Sequence, residues 1–207
     1  MNSHLHKPII KVCGMREAEN IRQVEALGVD MMGFIFWSGS SRYVSSFPSY
    51  LPDSALRVGV FVDEEVERVV SLAKTYALDY IQLHGHESPD YCARLKDYRL
   101  IKAFSISSPS DLASVAEYED MVELFLFDTK GKSVGGNGEK FDWNVLSAYE
   151  GRVPFLLSGG IAPDDVSQIL AFHHPKCVGF DLNSRFEVSP ALKDIDKLNL
   201  FLQSIRQ

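Results

Sequence analysis

Two residues at the ends of short apolar runs could form an acid–base pair. Cys13 ends the run Ile9–Cys13, and Asp128 ends the run Leu124–Asp128. A thiol can serve as a base or nucleophile once it is ionised, and a carboxylic acid can donate a proton. A lone cysteine is usually a small buried hydrophobe, however, and an aspartate can instead pair with a lysine or cap a helix.

Two later apolar runs are followed by segments that could bind a phosphate group. Gly159 and Gly160 follow one of them, and glycines let backbone N–H groups come close to an anion. Asp181, Asn183 and Ser184 lie at the end of the next run. The glycine pair could be only a tight turn, but the presence of both segments favours a phosphate site.

One arginine and two histidines are further candidates. Arg42 is the only charged residue in residues 37–43, and its guanidinium suits two-point binding of a carboxylate, although a lone arginine is usually a surface residue. His84 and His86 suggest a metal site, which we discount because few further ligands end other strands. Hydrogen bonding at a strand end is the role we expect for His84, and we predict no metal site.

These residues need a scaffold that brings strand ends together. Apolar runs alternate with segments of helical spacing, which is typical of parallel strands that are buried on both faces. Eight such units in 207 residues predict an α/β fold, a single (β/α)8 TIM barrel with chemistry at the carboxyl ends of its strands. The predicted strands are Ile9–Cys13, Val29–Phe36, Leu56–Val62, Asp79–Leu83, Arg99–Ile106, Glu123–Asp128, Val153–Ser158 and Lys176–Asp181.

Helices are predicted between the strands, with one domain over residues 1–207 and residues 1–8 as a loose tail. Gly28 should end the first helix, and Pro48 and Pro52 frame at most a short second helix. Ser88 and Ser108 should begin the fourth and fifth helices, each followed by a proline. Residues 129–140 are predicted to form a loop over the site. The predicted helices are Arg16–Leu27, Glu64–Tyr76, a helix from Pro89 to about Lys96, one beginning at Pro109, Asp142–Tyr149, Pro163–Phe172 and Pro190–Arg206.

The bulk properties narrow the class of partner. A formal net charge of −7 disfavours nucleic acid and anionic membranes as main partners. Three scattered cysteines show no disulfide framework, which fits a reducing compartment. We expect a cytoplasmic protein, because no apolar stretch reaches signal-peptide length or the roughly 18 residues of a membrane span.

Seven motifs in order resemble the phosphoribosylanthranilate isomerase family of tryptophan biosynthesis. The resemblance extends from about Ile9 to the C-terminus, and the order of the motifs makes it specific. The motifs are Lys11-Val12-Cys13-Gly14-Met15, Gly33-Phe34-Ile35-Phe36 with Ser41-Arg42-Tyr43-Val44, Val58-Gly59-Val60-Phe61-Val62, Gln82-Leu83-His84-Gly85, Phe127-Asp128-Thr129, Gly135-Gly136-Asn137-Gly138 with Phe141-Asp142-Trp143, and Ser158-Gly159-Gly160-Ile161.

The resemblance implies an Amadori rearrangement of N-(5-phosphoribosyl)anthranilate without a cofactor. It implies that Cys13 is the general base, that Asp128 is the general acid and that Arg42 binds the anthranilate carboxylate. The partner would be a small phosphorylated molecule, and the chain would be a monomer or a homodimer. His84 and the two loop segments complete the expected substrate-binding set, which is Arg42, His84, Gly159, Gly160, Asp181, Asn183 and Ser184.

The end of the last strand departs from the family pattern. Leu182-Asn183-Ser184-Arg185 stands where the family often has Val-Ser-Ser-Gly, so Arg185 replaces a glycine and could add a charge to the phosphate site.

Two rival hypotheses also fit the sequence. A different phospho-sugar enzyme, such as an epimerase or a Schiff-base aldolase, would fit the same scaffold, and the aldolase would need Lys11 or Lys102 in the barrel mouth. A phospholigand-binding module would keep the glycine pair but would have no need for both Cys13 and Asp128.

Overall fold

The computed structural model describes residues 7–129 and 143–206, and eight parallel strands in these ranges close into a barrel. Each strand pairs with the next along the chain, and β8 pairs with β1, which confirms the predicted fold class. The strands are β1 Ile9–Cys13, β2 Met31–Ile35, β3 Leu56–Phe61, β4 Tyr80–Leu83, β5 Leu100–Ile106, β6 Leu124–Thr129, β7 Phe155–Ser158 and β8 Cys177–Leu182.

Short helices and turns connect the strands. Gly28 follows α1 with a φ of 69°, and Ser88 accepts a hydrogen bond from the Tyr91 N–H at the start of α3, so both predicted helix boundaries are confirmed. The α-helices are α1 Ala18–Ala26, α2 Val66–Thr75, α3 Pro89–Ala93, α4 Val166–Ala171 and α5 Ile195–Ile205. The 3₁₀ segments are Pro109–Tyr118, Trp143–Ala148, Pro163–Asp165 and Ser184–Phe186.

Two predicted helices are 3₁₀ segments and not α-helices. These are the helix beginning at Pro109 and the described part of the helix predicted over Asp142–Tyr149. In the first, Asp111 accepts the backbone N–H groups of Ser107 and Ser108. These bonds form a capping box at the first turn of the segment, as at the start of an α-helix.

The prediction of one helix over Pro190–Arg206 is wrong in its first part. A hairpin comes first, with β9 Glu187–Ser189 antiparallel to β10 Leu192–Lys193. Ala191 turns the chain with a φ of 67°, and α5 begins only after Asp194, whose carboxylate accepts the Lys197 N–H. The apolar spacing of α5 is real, but it extends over fewer residues than predicted.

The core has an outer and an inner part. The outer part lies between the strands and the surrounding helices and includes stacked aromatic pairs such as Phe125 and Phe127. The inner part is a separate cluster of residues from the strands, including Met31, Val58 and Leu126. Because alternate residues of a strand share a face, Lys11 and Cys13 point the same way from β1.

Some predictions fall outside the described residues. They include most of the predicted tail and the predicted loop after its first residue, which belongs to β6. Among the described residues, no helix is long and apolar enough to cross a membrane.

Candidate active site

A cavity of about 260 Å³ opens at the carboxyl ends of the barrel strands. It brings together every residue of the predicted site except Arg42, which lies beside it. The lining residues are Cys13, Ile35, Val60, Gln82, His84, Asp128, Ser158, Gly159, Gly160, Ile161, Asp181, Asn183 and Ser184. The acid and the base predicted from separate runs therefore face one cavity.

Cys13 is the last residue of β1, and only 4% of it is exposed. Its register partner on β2 is Gly33, and a Cβ added there would lie 2.7 Å from the Cys13 Sγ. The absence of a side chain on Gly33 thus makes room for the sulfur. The other two cysteines, Cys92 and Cys177, lie in α3 and at the start of β8, away from the cavity.

Opposing charges act on the Cys13 thiol. Burial raises the pKa of Cys13, and the carboxylate of Asp181 adds to this increase. The ammonium groups of Lys11 and Lys193 lower the pKa of the thiol, although the net direction is upward. The two lysines therefore supply the stabilisation that a buried thiolate needs.

Asp128 lies at the opposite side of the mouth, next to the end of β6. Its Oδ2 is 3.6 Å from Nε2 of His84, and about a quarter of the aspartate side chain is exposed. The side-chain amide of Gln82 lies 2.9 Å from the Nδ1 of His84, while the Gln82 Oε1 is buried and has no hydrogen-bond partner among the described residues. His84 thus makes the strand-end hydrogen bond expected of it, and Gln82 joins the site as a residue that the sequence did not single out.

The loop after β7 carries the two glycines predicted to bind phosphate. Gly159 and Gly160 adopt φ angles of 98° and 68°, and a Cβ added to Gly160 would meet no atom within 4 Å. Successive backbone N–H groups in such conformations can converge on one anion, and only glycine adopts them without strain. A phosphate group could therefore approach the backbone closely here.

The end of β8 divides its predicted phosphate residues into two kinds. Asp181 lies inside the strand, where its carboxylate accepts from Lys11 Nζ at 2.8 Å and from Ser158 Oγ at 3.2 Å. A carboxylate repels phosphate, so we assign Asp181 to the ion pair with Lys11. Asn183 and Ser184 lie beyond it in the cavity wall and remain candidates, whereas Arg185 is exposed and lies outside the lining.

Arg42 is held by a carboxylate that the sequence did not identify. Its Nε lies 2.9 Å from Oε1 of Glu187, and its Nη2 lies 2.6 Å from Oε2. A Cβ added to Gly14 would lie 2.6 Å from the Arg42 Cδ, so the arginine packs directly against the segment after Cys13. Both contacts to Glu187 use Nε and Nη2, so the Nη1 group could donate to a ligand carboxylate.

Glu187 and Lys193 are not found from the sequence, because the hairpin that carries them is not predicted. Glu187 accepts from Lys193 Nζ at 2.6 Å as well as from Arg42. The only indication in the sequence was that Glu187 and Lys193 lie on either side of Ser189-Pro190.

The lysines required by an aldolase are engaged in ion pairs. Burial alone would lower the pKa of Lys11, but Asp181 and Cys13 outweigh burial and raise it, which keeps the amine protonated. Lys102 donates to Glu87 at 3.0 Å and to the Gly85 carbonyl at 2.7 Å. Neither amine is a free nucleophile. Across the described ranges, no group of three or more His, Cys, Asp or Glu side chains is placed to hold a metal ion.

Comparisons with known proteins identify the family of the chain. Residues 10–204 match the family model described as N-(5'-phosphoribosyl)anthranilate (PRA) isomerase. The chain is 51% identical to N-(5'-phosphoribosyl)anthranilate isomerase of Phocaeicola vulgatus, covering 96% of this chain and 98% of the relative. It is 50% identical to the isomerase of the same name from Parabacteroides distasonis, covering 95% and 93%.

Solved structures indicate the same family. Phosphoribosyl anthranilate isomerase from Thermotoga maritima matches with a TM-score of 0.82 and 31% identity, over 95% of this chain and 97% of that one. A second structure of such an isomerase, in complex with reduced 1-(o-carboxyphenylamino)-1-deoxyribulose 5-phosphate, matches with a TM-score of 0.80 and 29% identity, over the same shares. The chain belongs to the phosphoribosylanthranilate isomerase family, whose members are isomerases of tryptophan biosynthesis.

Proposed function

We propose that this isomerase converts N-(5-phosphoribosyl)anthranilate to 1-(2-carboxyphenylamino)-1-deoxyribulose 5-phosphate by an Amadori rearrangement. The observation that carries the proposal is that Cys13 and Asp128 face one cavity beside a glycine loop suited to phosphate. The substrate for which the similar isomerases are named, and the product-like ligand of a solved relative, support it.

In the first step, Asp128 acts as the general acid. It donates a proton to the furanose ring oxygen, the bond between that oxygen and sugar C1 breaks, and the lone pair of the nitrogen forms the C1=N bond of a Schiff base. Asp128 lies at the open side of the cavity, where it can recover a proton from solvent or from His84.

In the second step, the thiolate of Cys13 acts as the general base. It removes the proton from sugar C2, and the electron pair of that bond forms a C1=C2 double bond while the C1=N electrons return to nitrogen. The resulting enolamine takes a proton at C1 and loses the proton of its C2 hydroxyl to become the ketone. C2 is oxidised and C1 is reduced within one molecule, so the step balances without an external electron acceptor.

Two anchors orient the substrate in this scheme. The loop at Gly159 and Gly160, with Asn183 and Ser184, binds the phosphate group, and Arg42 binds the anthranilate carboxylate through the N–H groups that Glu187 leaves free. His84 contacts the sugar near Asp128. Holding both ends of the substrate fixes C2 relative to the sulfur.

We place this reaction in the cytoplasm, with the phosphorylated substrate as the main partner. The chain acts as a monomer or a homodimer, and one solved relative is described as monomers generated from a dimeric isomerase of Thermotoga maritima. Analytical ultracentrifugation of the full chain decides between the two states.

Turnover of Cys13→Ala and Asp128→Asn tests the assignment. Loss of anthranilate-type fluorescence is followed with the phosphoribosyl substrate, and each variant should lose about 10²–10⁴-fold in kcat. Cys177→Ala and Asp90→Asn are matched controls, because both residues lie outside the cavity lining. A near-parental rate for either site variant removes the role assigned to that residue, and tight binding by the parent without turnover favours a binding module.

A further inference from the structure

Three charged side chains form a cluster beside the cavity, and none of them is among its lining residues. This cluster of Arg42, Glu187 and Lys193 is largely shielded from solvent, with exposed side-chain fractions of 21%, 4% and 0%. Glu187 lies at its centre, with Oε2 2.6 Å from Arg42 Nη2 and Oε1 2.6 Å from Lys193 Nζ. The cluster joins the segment after β2 to the hairpin after β8.

The cluster contains more positive than negative charge. Burial alone would raise the pKa of Glu187, but hydrogen bonds from Arg42 and Lys193 outweigh burial and lower it. Burial lowers the pKa of Lys193, and the partnership with Glu187 opposes that decrease. With both ammonium and guanidinium charged, one carboxylate faces two cations, and one positive charge remains unbalanced.

Both cations of the cluster lie near the segment after Cys13. Lys193 Nζ donates to Asn183 Oδ1 at 2.8 Å, and that oxygen is 2.9 Å from the position of a Cβ on Gly14, the residue after Cys13. In the pair formed by Lys11 and Asp181, one positive charge balances one negative charge. The two residues shift the pKa of the Cys13 thiol in opposite directions. The charged or titratable groups around Cys13 are Lys11 from β1, Asp181 from β8, Arg42 from the segment after β2, Lys193 from β10, His84 at the end of β4 and Asp128 on β6.

We propose that Lys193 is a positioning residue, which stabilises the ionised form of Cys13 and fixes the orientation of the Asn183 amide. The first half of this inference rests on the proposed role of Cys13 as the general base. Since Asn183 Oδ1 accepts from Lys193, its Nδ2 group is left as a donor toward the cavity, which suits a phosphate oxygen.

The fold holds Lys193 in place from a second direction. The Lys193 N–H donates to Asn20 Oδ1 at 2.7 Å, and Asn20 Nδ2 donates to the Lys193 carbonyl at 3.0 Å. Asn20 is itself buried in α1. This double hydrogen bond fixes the backbone of Lys193, and its ammonium group is held separately by Glu187 and Asn183.

Alkylation of Cys13 by iodoacetamide as a function of pH measures its thiolate directly, without using turnover. We compare the parent with Lys193→Met and Lys193→Gln, of which the second keeps a hydrogen-bonding group but no charge. Lys197→Met is the control, because Lys197 is an exposed lysine of α5 that pairs only with Asp194 among the described residues. The same profile of Cys13→Ser accounts for Cys92 and Cys177.

The proposal requires both Lys193 variants to move the alkylation midpoint to higher pH, with alkylation at pH 7 about tenfold slower and Lys197→Met unchanged. Cooperative unfolding in urea shows that a variant is folded, and the glutamine variant gives the answer if the methionine variant is not. A parental midpoint in a folded variant overturns the inference. If the midpoint moves but the pH profile of kcat/KM does not, Lys193 acts on Cys13 as inferred and it is the proposed base role of Cys13 that fails.

Discussion

At the scale of single residues, the position of Cys13 depends on a glycine, which has a hydrogen atom in place of a side chain. Gly33 stands beside it on β2, and a methyl group there would lie 2.7 Å from Sγ and 3.1 Å from the Cys13 Cα. Because the second contact is with backbone, the sulfur is the atom that must move. The glycine therefore serves the proposed chemistry as well as the packing of the barrel.

We expect Gly33→Ala to lower kcat by about tenfold to a hundredfold, since small misplacements of a catalytic group have effects of this size. Steady-state kinetics with the phosphoribosyl substrate measure the change. Gly59→Ala is the control, because its added methyl group would lie 2.3 Å from Leu78 Cδ1 and so crowds a different part of the fold. Parental kcat in Gly33→Ala would show that the sulfur position is not critical.

The sequence singles out the proposed acid and base but not the charged residues beside them. Cys13 and Asp128 could be identified because each ends an apolar run, and the ends of parallel strands meet at one edge of the sheet. Lys193 and Glu187 could not be foreseen, since their position depends on a hairpin whose strands, Glu187–Ser189 and Leu192–Lys193, are too short to show an alternating pattern. Gln82 was hidden because an amide inside a strand is not a recognisable motif.

At the scale of elements, one glutamate of α1 organises the segment before β3. Glu25 accepts hydrogen bonds from the Tyr50 hydroxyl, from the N–H groups of Asp53 and Ser54, and from the Ser54 hydroxyl. Burial alone would raise the pKa of Glu25, but these hydrogen bonds outweigh burial and lower the pKa to about 2. This carboxylate thus holds the segment between β2 and β3, which contains no helix.

This contact should make stability depend on pH in the acid range. A carboxyl group with a lowered folded-state pKa stabilises the fold fully above its unfolded value of 4.5, and the effect is lost as pH falls toward about 2. After allowance for solvent screening, we expect Glu25→Gln to cost about 1 kcal/mol at neutral pH and much less near pH 3. Urea unfolding at both pH values measures the difference, with exposed Glu19→Gln as the control; a gap that does not narrow in acid would contradict the assignment.

Element boundaries were predictable only where the chain uses standard residues. Gly28 ends α1 with a positive φ, as predicted from its type. Ala77 has a φ of 47° just after α2, and its N–H and that of Leu78 bond back to Lys74 and Ala73 as a glycine turn would. Alanine gives no sequence signal for that conformation, so this turn could not be foreseen.

At the scale of the whole molecule, the barrel is closed by a buried ion pair. Lys11 on β1 and Asp181 on β8 are register partners, their charged atoms are 2.8 Å apart, and their side chains are 0% and 6% exposed. Ser158 on β7 supports the carboxylate. The pair and Ser158 thus link three strands where the first and last strands of the barrel meet.

Removing one member of the Lys11–Asp181 pair should lower the free energy of unfolding more than removing both members. We expect Lys11→Met to destabilise the fold by about 3–5 kcal/mol, since it leaves a buried carboxylate without its cation. The double variant Lys11→Met with Asp181→Leu should be more stable than the single one. Urea denaturation of the parent and the variants measures both; additive losses in the full double-mutant cycle would contradict a coupled pair.

The site of Lys193 has a consequence for synthesis of the protein. A ribosome delivers β1, with Cys13, long before Asp181 and Lys193 emerge. Until then the ammonium of Lys11 has no counterion, and the sulfur lacks the cation supplied by the hairpin. A nascent chain therefore cannot assemble the inferred thiolate site early, and chains released before β10 should remain inactive whatever part of the barrel they have folded.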